Sequence, residues 1–236
     1  MALAKSIAHY QGWEVDLTQS VTTTSFTPEN NSLLVALINC QLDNLGVGLS
    51  FSQTVSGGGL TWNFIDEYDI VDNYELKAFA YYAEVSTASS MTFTFDSNDS
   101  NGLIGPAIII YNFTGYNTAS PIGGSYASGG QNSRSGAYNA TLSATPDSTS
   151  YIVAAAMTDD GTTTYGTNWT NDQNDVTGDS SGPYLDYAAQ SRTNWTSTTV
   201  AWDAISTSWS WASIGVEIKE AEPQTINRRT FSIIMT

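Results

Sequence analysis

Residues 59–96 contain GLTWNFIDEYDI (59–70), AFAYYAEV (78–85) and MTFTFD (91–96), and the same series returns at 166–203 as GTNWTNDQNDVT (166–177), LDYAAQSR (185–192) and TTVAWD (198–203). Trp62 and Trp169 stand as far apart as Asp96 and Asp203. An apolar run precedes each copy, SLLVALI (32–38) and SYIVAAAM (150–157), and a strand-like segment follows each, AIIIYNF (107–113) and SIGVEIK (213–219). The chain restates its first half, loosely, in its second.

The copies read as strands. Met91, Phe93 and Phe95 alternate with Thr92 and Thr94, the pattern of a sheet with one wet face, and Val200 and Trp202 repeat it. The runs at 33–38, 107–111 and 152–157 are apolar on both phases, so they are predicted to be central strands covered on both faces. Near the end, Trp209 and Trp211 share one phase while Ile214, Val216 and Ile218 share the other. That shift predicts a β-bulge, or a switch of inward face, near Ala212 or Ser213. Turn-forming clusters such as PENN (28–31), SGGG (56–59), SNDSNG (97–102), SGGQN (128–132) and DSSGP (179–183) punctuate the chain at strand-length intervals. No segment sustains a helical apolar period, so little or no helix is predicted.

These signals predict an all-β fold, a two-sheet antiparallel β-sandwich of jelly-roll type with internal pseudo-duplication. Residues 1–220 are expected to form one domain, with halves at about 25–115 and 137–219, followed by a C-terminal extension, 221–236. Two tandem domains are disfavoured because no linker separates the halves. The Gly/Ser/Asn-rich segment 114–148 carries the strand-like AYNATLSA (137–144).

Composition narrows the function. The 236 residues include 23 acids against 7 bases, a net charge of −16, and only 13% charged side chains. Clustered Lys and Arg are what phosphate and anionic lipid need, so neither nucleic acid nor a membrane is an expected partner. The start, MALAKSIAHYQGWEVDL, does not read as a signal peptide. No apolar run approaches the ~20 residues of a membrane-crossing helix. Cys40 is the single cysteine, at the end of an apolar run, and is expected to be a small buried side chain.

Catalytic patterns are sparse. His9 is the only histidine, which removes most acid–base and metal schemes. Glu67, Asp69 and Asp72 resemble the acidic run of laminarinase-like jelly-roll glycosidases, but Asp72 stands where that family has its acid–base glutamate. An acidic strand end before a turn explains the run more simply, and no enzyme activity is expected. No cofactor is required; calcium is the ion that Asx-rich loops would suit. Its candidate ligands are Asp96, Asn98 and Asp99 in one turn, and Asp172 and Asp175 in another, where Asn171, Asn174 and Asp179 also crowd. Solvated Asx turns account for both more simply. Among the seven tryptophans Trp195, in SRTNWTST, with Tyr184 and Tyr187 nearby in sequence, is the candidate glycan platform. Trp62 and Trp169, at equivalent places in the copies, are expected to pack.

The series FTPENNSLLVALI, GLTWNFI, ELKAFAYYAEV, MTFTFD, AIIIYNFTG, SYIVAAAM and SWSWASIGVEIK, spanning about 25–220, resembles a loosely defined β-sandwich group of jelly-roll or concanavalin-like type. That group occurs in tailed-phage virion proteins and environmental bacterial surface proteins. The resemblance implies a structural role and carries no catalytic residues. The expectation is a non-enzymatic virion protein, a capsid decoration or head- or tail-fibre module assembled in the host cytoplasm. It would be a homo-oligomer or a partner of capsid or tail proteins. The alternatives are an extracellular or cell-surface carbohydrate-binding adhesin and, more remotely, a glycosidase. The tail either pairs with its own domain or reaches a neighbouring subunit by strand addition; in the second case Arg228, Arg229, Phe231, Ile233 and Met235, with the segment 1–16, are the candidate subunit contacts.

Overall fold

The computed structural model describes residues 2–13, 18–42, 52–68, 76–97, 102–130, 135–159, 161–177, 185–207 and 210–222. The first half contains β1 (Ala4–Gly12), β2 (Ser20–Thr22), β3 (Ser32–Leu42), β4 (Thr54–Ser56), β5 (Asn63–Tyr68), β6 (Leu76–Val85), β7 (Thr94–Asp96) and β8 (Leu103–Thr114). The second contains β9 (Ile122–Gly130), β10 (Tyr138–Thr141), β11 (Tyr151–Asp159), β12 (Gly161–Tyr165), β13 (Thr170–Thr177), β14 (Leu185–Thr193), β15 (Thr199–Thr207) and β16 (Trp211–Ile218). Every strand pairing is antiparallel, and no helix occurs among the described residues.

The predicted all-β, antiparallel two-sheet arrangement is present, but it occurs once in each half rather than once across both. The first half has a five-stranded sheet, β1-β8-β3-β6-β5, and a three-stranded sheet, β2-β7-β4. The second has β9-β16-β11-β14-β13 and β10-β15-β12. The two orders correspond strand for strand, so the duplication lies at the level of the whole sandwich. The halves accordingly run from Ala4 to Thr114 and from Ile122 to Ile218.

The alternation of side chains explains how the four sheets stack. On β3, Leu34, Ala36, Ile38 and Cys40 face the small sheet and pack with Phe79, Phe93, Phe95 and Ile108. Leu33, Val35 and Leu37 point the other way, into a central core shared with Val153, Ala155, Met157, Ile214 and Val216 of the second half. On β11 the opposite phase, Ile152, Ala154 and Ala156, meets Trp202, Ile205 and Val200 of the second small sheet. Three cores therefore separate four layers, and the two large sheets are buried on both faces. That is why β3, β8 and β11 are apolar on both phases. Each fully buried Leu, Ile or Phe contributes about 1.5–3 kcal/mol of transfer free energy, so the central core is a major source of cohesion between the halves.

The large sheets stack with β1 over β13, β8 over β14, β3 over β11, β6 over β16 and β5 over β9. In repeat terms, strand one of each half lies on strand five of the other, and the third strands lie on each other. This is an isologous contact within one chain, with a pseudo-two-fold axis running between β3 and β11. The segments leaving β8 and β16 pass each other antiparallel near that axis. There Tyr116 bridges Glu220, Asn117 N–H donates to the Lys219 carbonyl, and Ala221 N–H donates to that of Gly115.

The segment 4–12, within the expected contact segment 1–16, is an edge strand paired along β8. Two expectations change. The register of β16 is unbroken from Trp211 to Val216, and its irregularity falls between Val216 and Ile218. Trp211 and Ile214 sit on opposite phases because they serve different cores. Finally, Ile122–Gly130, whose Gly- and Ser-rich composition predicts a loop, is strand β9. Its glycines make room for neighbours: a Cβ on Gly129 would lie 2.3 Å from the Tyr68 ring.

Candidate functional site

A cluster of charged and hydroxyl side chains from both halves lies at the rim where β1 lies over β13. Both β5 and β13 bulge at the same point of the repeat, between Phe64 and Asp66 and between Asn171 and Gln173. A bulge re-aims its extra residue. In the first half that residue is Ile65, which packs against the central core. In the second it is Asp172, a carboxylate at the equivalent position of the opposite rim.

Asp172 is taken up by residues of the first half. The Lys5 ammonium donates to Oδ1 of Asp172 and, at 2.7 Å, to Oγ of Ser191. The Tyr111 hydroxyl donates to Oδ2 of Asp172 at 3.0 Å, and Nζ of Lys5 lies 5.2 Å from the centre of the Tyr111 ring. The side chains of Lys5 and Asp172 are only 12% and 4% exposed. Beside them Tyr10 donates to Oδ2 of Asp175 at 2.8 Å and stacks on Tyr187 at 5.7 Å. Thr177 closes the strand by donating to the Gly105 carbonyl at 2.8 Å.

Burial pushes the hydroxyls of Tyr10, Tyr111 and Tyr187 above the ordinary phenol range. The Asp172 charge adds to this at Tyr111 and Tyr187; for Tyr10 the neighbours are Tyr187 and Asp175. All three phenols stay neutral, so Tyr10 and Tyr111 act as donors to the carboxylates. The Tyr187 hydroxyl is buried without a hydrogen-bond partner. The cluster joins the halves; in it Asp172 has one cation and one neutral donor beside it.

A second cluster lies on the outer face of β14. The Arg192 guanidinium sits 3.7 Å from the centre of the Trp195 ring and 6.0 Å from that of Trp169. The two indoles meet edge to face at 6.3 Å, and Nε1 of Trp195 donates to the Thr199 carbonyl at 2.8 Å. Trp195 is half-buried and Trp169 is buried.

The structure separates several residues that the sequence grouped. Tyr187 belongs to the central core and Trp195 to the core of the second half, so they form no common platform. Tyr184 lies outside the described residues. Asp172 and Asp175 are on strand β13, not on the Asx-rich turn expected there. Asp96 is on β7, opposite Ser20 and Thr54, in a different sheet. Asn98 and Asp99 lie outside the described residues, as do Arg228, Arg229, Phe231, Ile233 and Met235. No group of three His, Cys, Asp or Glu side chains suited to a metal ion occurs among the described residues. Glu67 is exposed and accepts from Gln53 at 2.6 Å, while Asp69 and Asp72 are outside the described residues. His9 stacks on Phe26 at 5.3 Å. Cys40 is fully buried, as expected.

Sequence reasoning did not single out Lys5, Tyr10, Tyr111 or Ser191. The available signal was a lone lysine on a strand of a chain with seven basic residues. Comparison with family models, with curated proteins and with solved structures finds no match to the chain.

Proposed function

We propose that this chain is a non-enzymatic structural protein, a virion component of capsid-decoration or head- or tail-fibre type. It would act by packing into an assembly of its own copies or of capsid or tail proteins while displaying an acidic, polar surface. The observation that carries this reading is the use made of its polar interior. Asp172 and Asp175 hold β13 to β1, Gln41 of the first half donates to Asp159 of the second at 3.1 Å, and Asn39 donates to the Ala212 carbonyl at 3.4 Å. These groups are spent on joining four sheets into one body, which is what a load-carrying module requires.

The test is sedimentation and electron microscopy of the full chain, alone and mixed with phage heads or tails lacking it. Discrete oligomers or decorated particles are expected, with attachment lost on removal of 223–236. A monomer that attaches to neither overturns the proposal.

A second reading, a glycan-binding surface at Trp195, rests on that half-exposed indole beside Arg192. It has less in its favour because the guanidinium already covers one ring face. Binding on a glycan array in calcium, abolished by Trp195→Ala, would favour it over the structural reading.

A further inference from the structure

We propose that Lys5 and Asp172 are the two ends of an intramolecular isopeptide bond that the folded chain forms by itself. The inference is independent of the structural role above. It starts from an asymmetry. The chain has two pseudo-equivalent rims, β5 over β9 and β1 over β13, and among the described residues the second carries the amine–carboxylate contact, Lys5 with Asp172. At the first rim the bulge residue is apolar Ile65, and Asp66 beside it accepts a hydroxyl from Ser125 at 2.8 Å.

The surroundings favour condensation. Both side chains are nearly excluded from water, at 12% and 4% exposure, so the released water is not held at high activity around the reacting carbon. Away from water, an ion pair and its neutral form, amine plus carboxylic acid, lie closer in free energy than they do in solution. Asp175 is occupied by Tyr10, which leaves Asp172 as the carboxylate presented to Lys5. The Tyr111 hydroxyl, bonded to Oδ2 of Asp172, is placed where negative charge develops when a nucleophile adds to Cγ. The Ser191 hydroxyl orients the amine from its other side. Folding itself supplies the proximity, because the partners are 167 positions apart in sequence.

The step balances without a co-reactant. Nζ passes one proton to Oδ1, and the neutral amine attacks Cγ. The Nζ–Cγ bond forms as charge moves onto Oδ2, held by Tyr111. A second proton passes from Nζ to Oδ1, the Cγ–Oδ1 bond breaks, and Oδ1 leaves as water. An amide with one N–H remains, its carbonyl oxygen the former Oδ2. Both protons of the water come from Lys5, and nothing is oxidised or reduced.

The experiment is intact-mass spectrometry of the denatured full-length protein, with sequencing of proteolytic peptides. The expected mass is lower than that of the linear chain by one water, with the Lys5 peptide covalently joined to the Asp172 peptide. Lys5→Arg should show the full linear mass. Asp172→Asn should close the same bond with loss of ammonia instead of water, which separates this linkage from dehydration elsewhere. Tyr111→Phe, checked for folding by circular dichroism, should form the bond at least ~10-fold more slowly. If folded wild-type protein keeps the full linear mass after prolonged incubation across neutral and mildly acidic pH, the pair is an ordinary salt bridge and the proposal fails. A water loss that maps to any other pair of residues also overturns it.

Discussion

Glu217 offers a severe test of how the second sandwich is held together. It lies on β16 with 1% of its surface exposed. Its Oε2 accepts the Gly124 N–H at 2.8 Å, and its Oε1 accepts the Asp147 N–H at 2.9 Å and the Ser150 hydroxyl at 2.7 Å. One carboxylate thus ties β9 and the turn before β11 to β16. In Glu217→Gln the amide N–H2 must face one set of donors, and even the better orientation strands the Gly124 N–H. A hydrogen bond to a charged group is worth about 1.5–3 kcal/mol, so the expected loss is about 2–3 kcal/mol. Glu217→Ala strands all three donors and should cost about 4 kcal/mol or more. Gly123 supplies an independent probe, because a Cβ there would come within 1.9 Å of Oε2. Gly123→Ala must displace the carboxylate and should destabilise about as much as Glu217→Gln. Urea unfolding followed by tryptophan fluorescence reads these changes as midpoint shifts at constant slope. On the Glu217→Ala background, Gly123→Ala should lose most of its effect, since the two share one contact. Losses below about 0.5 kcal/mol for Glu217→Gln, or full additivity of the two alanine changes, would refute the reasoning.

The remaining expectations concern a pH effect and the separateness of the cores. Burial raises the pKa of Asp186, against two opposing hydrogen bonds from Thr163. A carboxyl raised above its unfolded value is stabilising while protonated, and that contribution is lost as pH rises through the folded pKa. Asp186→Asn should therefore raise the melting temperature relative to wild type at neutral pH, with the advantage shrinking as pH falls into the carboxylate range. An advantage independent of pH would contradict this. Phe95→Ala and Trp202→Ala, in the two outer cores, should each cost about 3–5 kcal/mol. The double variant should be additive within about 0.5 kcal/mol, and strong coupling in denaturant unfolding would mean the outer cores are not separate.

Much of the architecture was legible because alternation reports burial directly. Thr92 and Thr94 between Met91, Phe93 and Phe95 gave a strand with one wet face, and the unbroken run at 33–38 gave a strand wet on neither. The second large sheet was harder to see, because a strand buried on both faces does not say what covers it. The stacking of Val35 and Leu37 on Val153 and Met157 is a relation between the copies, and no local pattern encodes it. β9 was hidden by Gly123, Gly124 and Gly129, which read as loop residues although they make room for Glu217, Ala144 and Tyr68 respectively. β13 was hidden by its composition, since Asn and Asp favour turns in isolation. There the tertiary pairing with β14 overrides the local preference, and Lys5 and Tyr10 supply the partners that the acids lack in sequence.

The pseudo-two-fold body also bears on how such a molecule can change. In a symmetric dimer of identical chains every substitution at the interface appears twice, so a lysine suited to one rim must be tolerated at the other. Two repeats in a single chain escape that constraint. One rim can keep Ile65 while the other acquires Asp172 and the lysine that answers it, each alteration tested once. Covalent fusion turns a self-complementary surface into two independently evolvable ones, and the unlike rims of this chain are the record of that freedom.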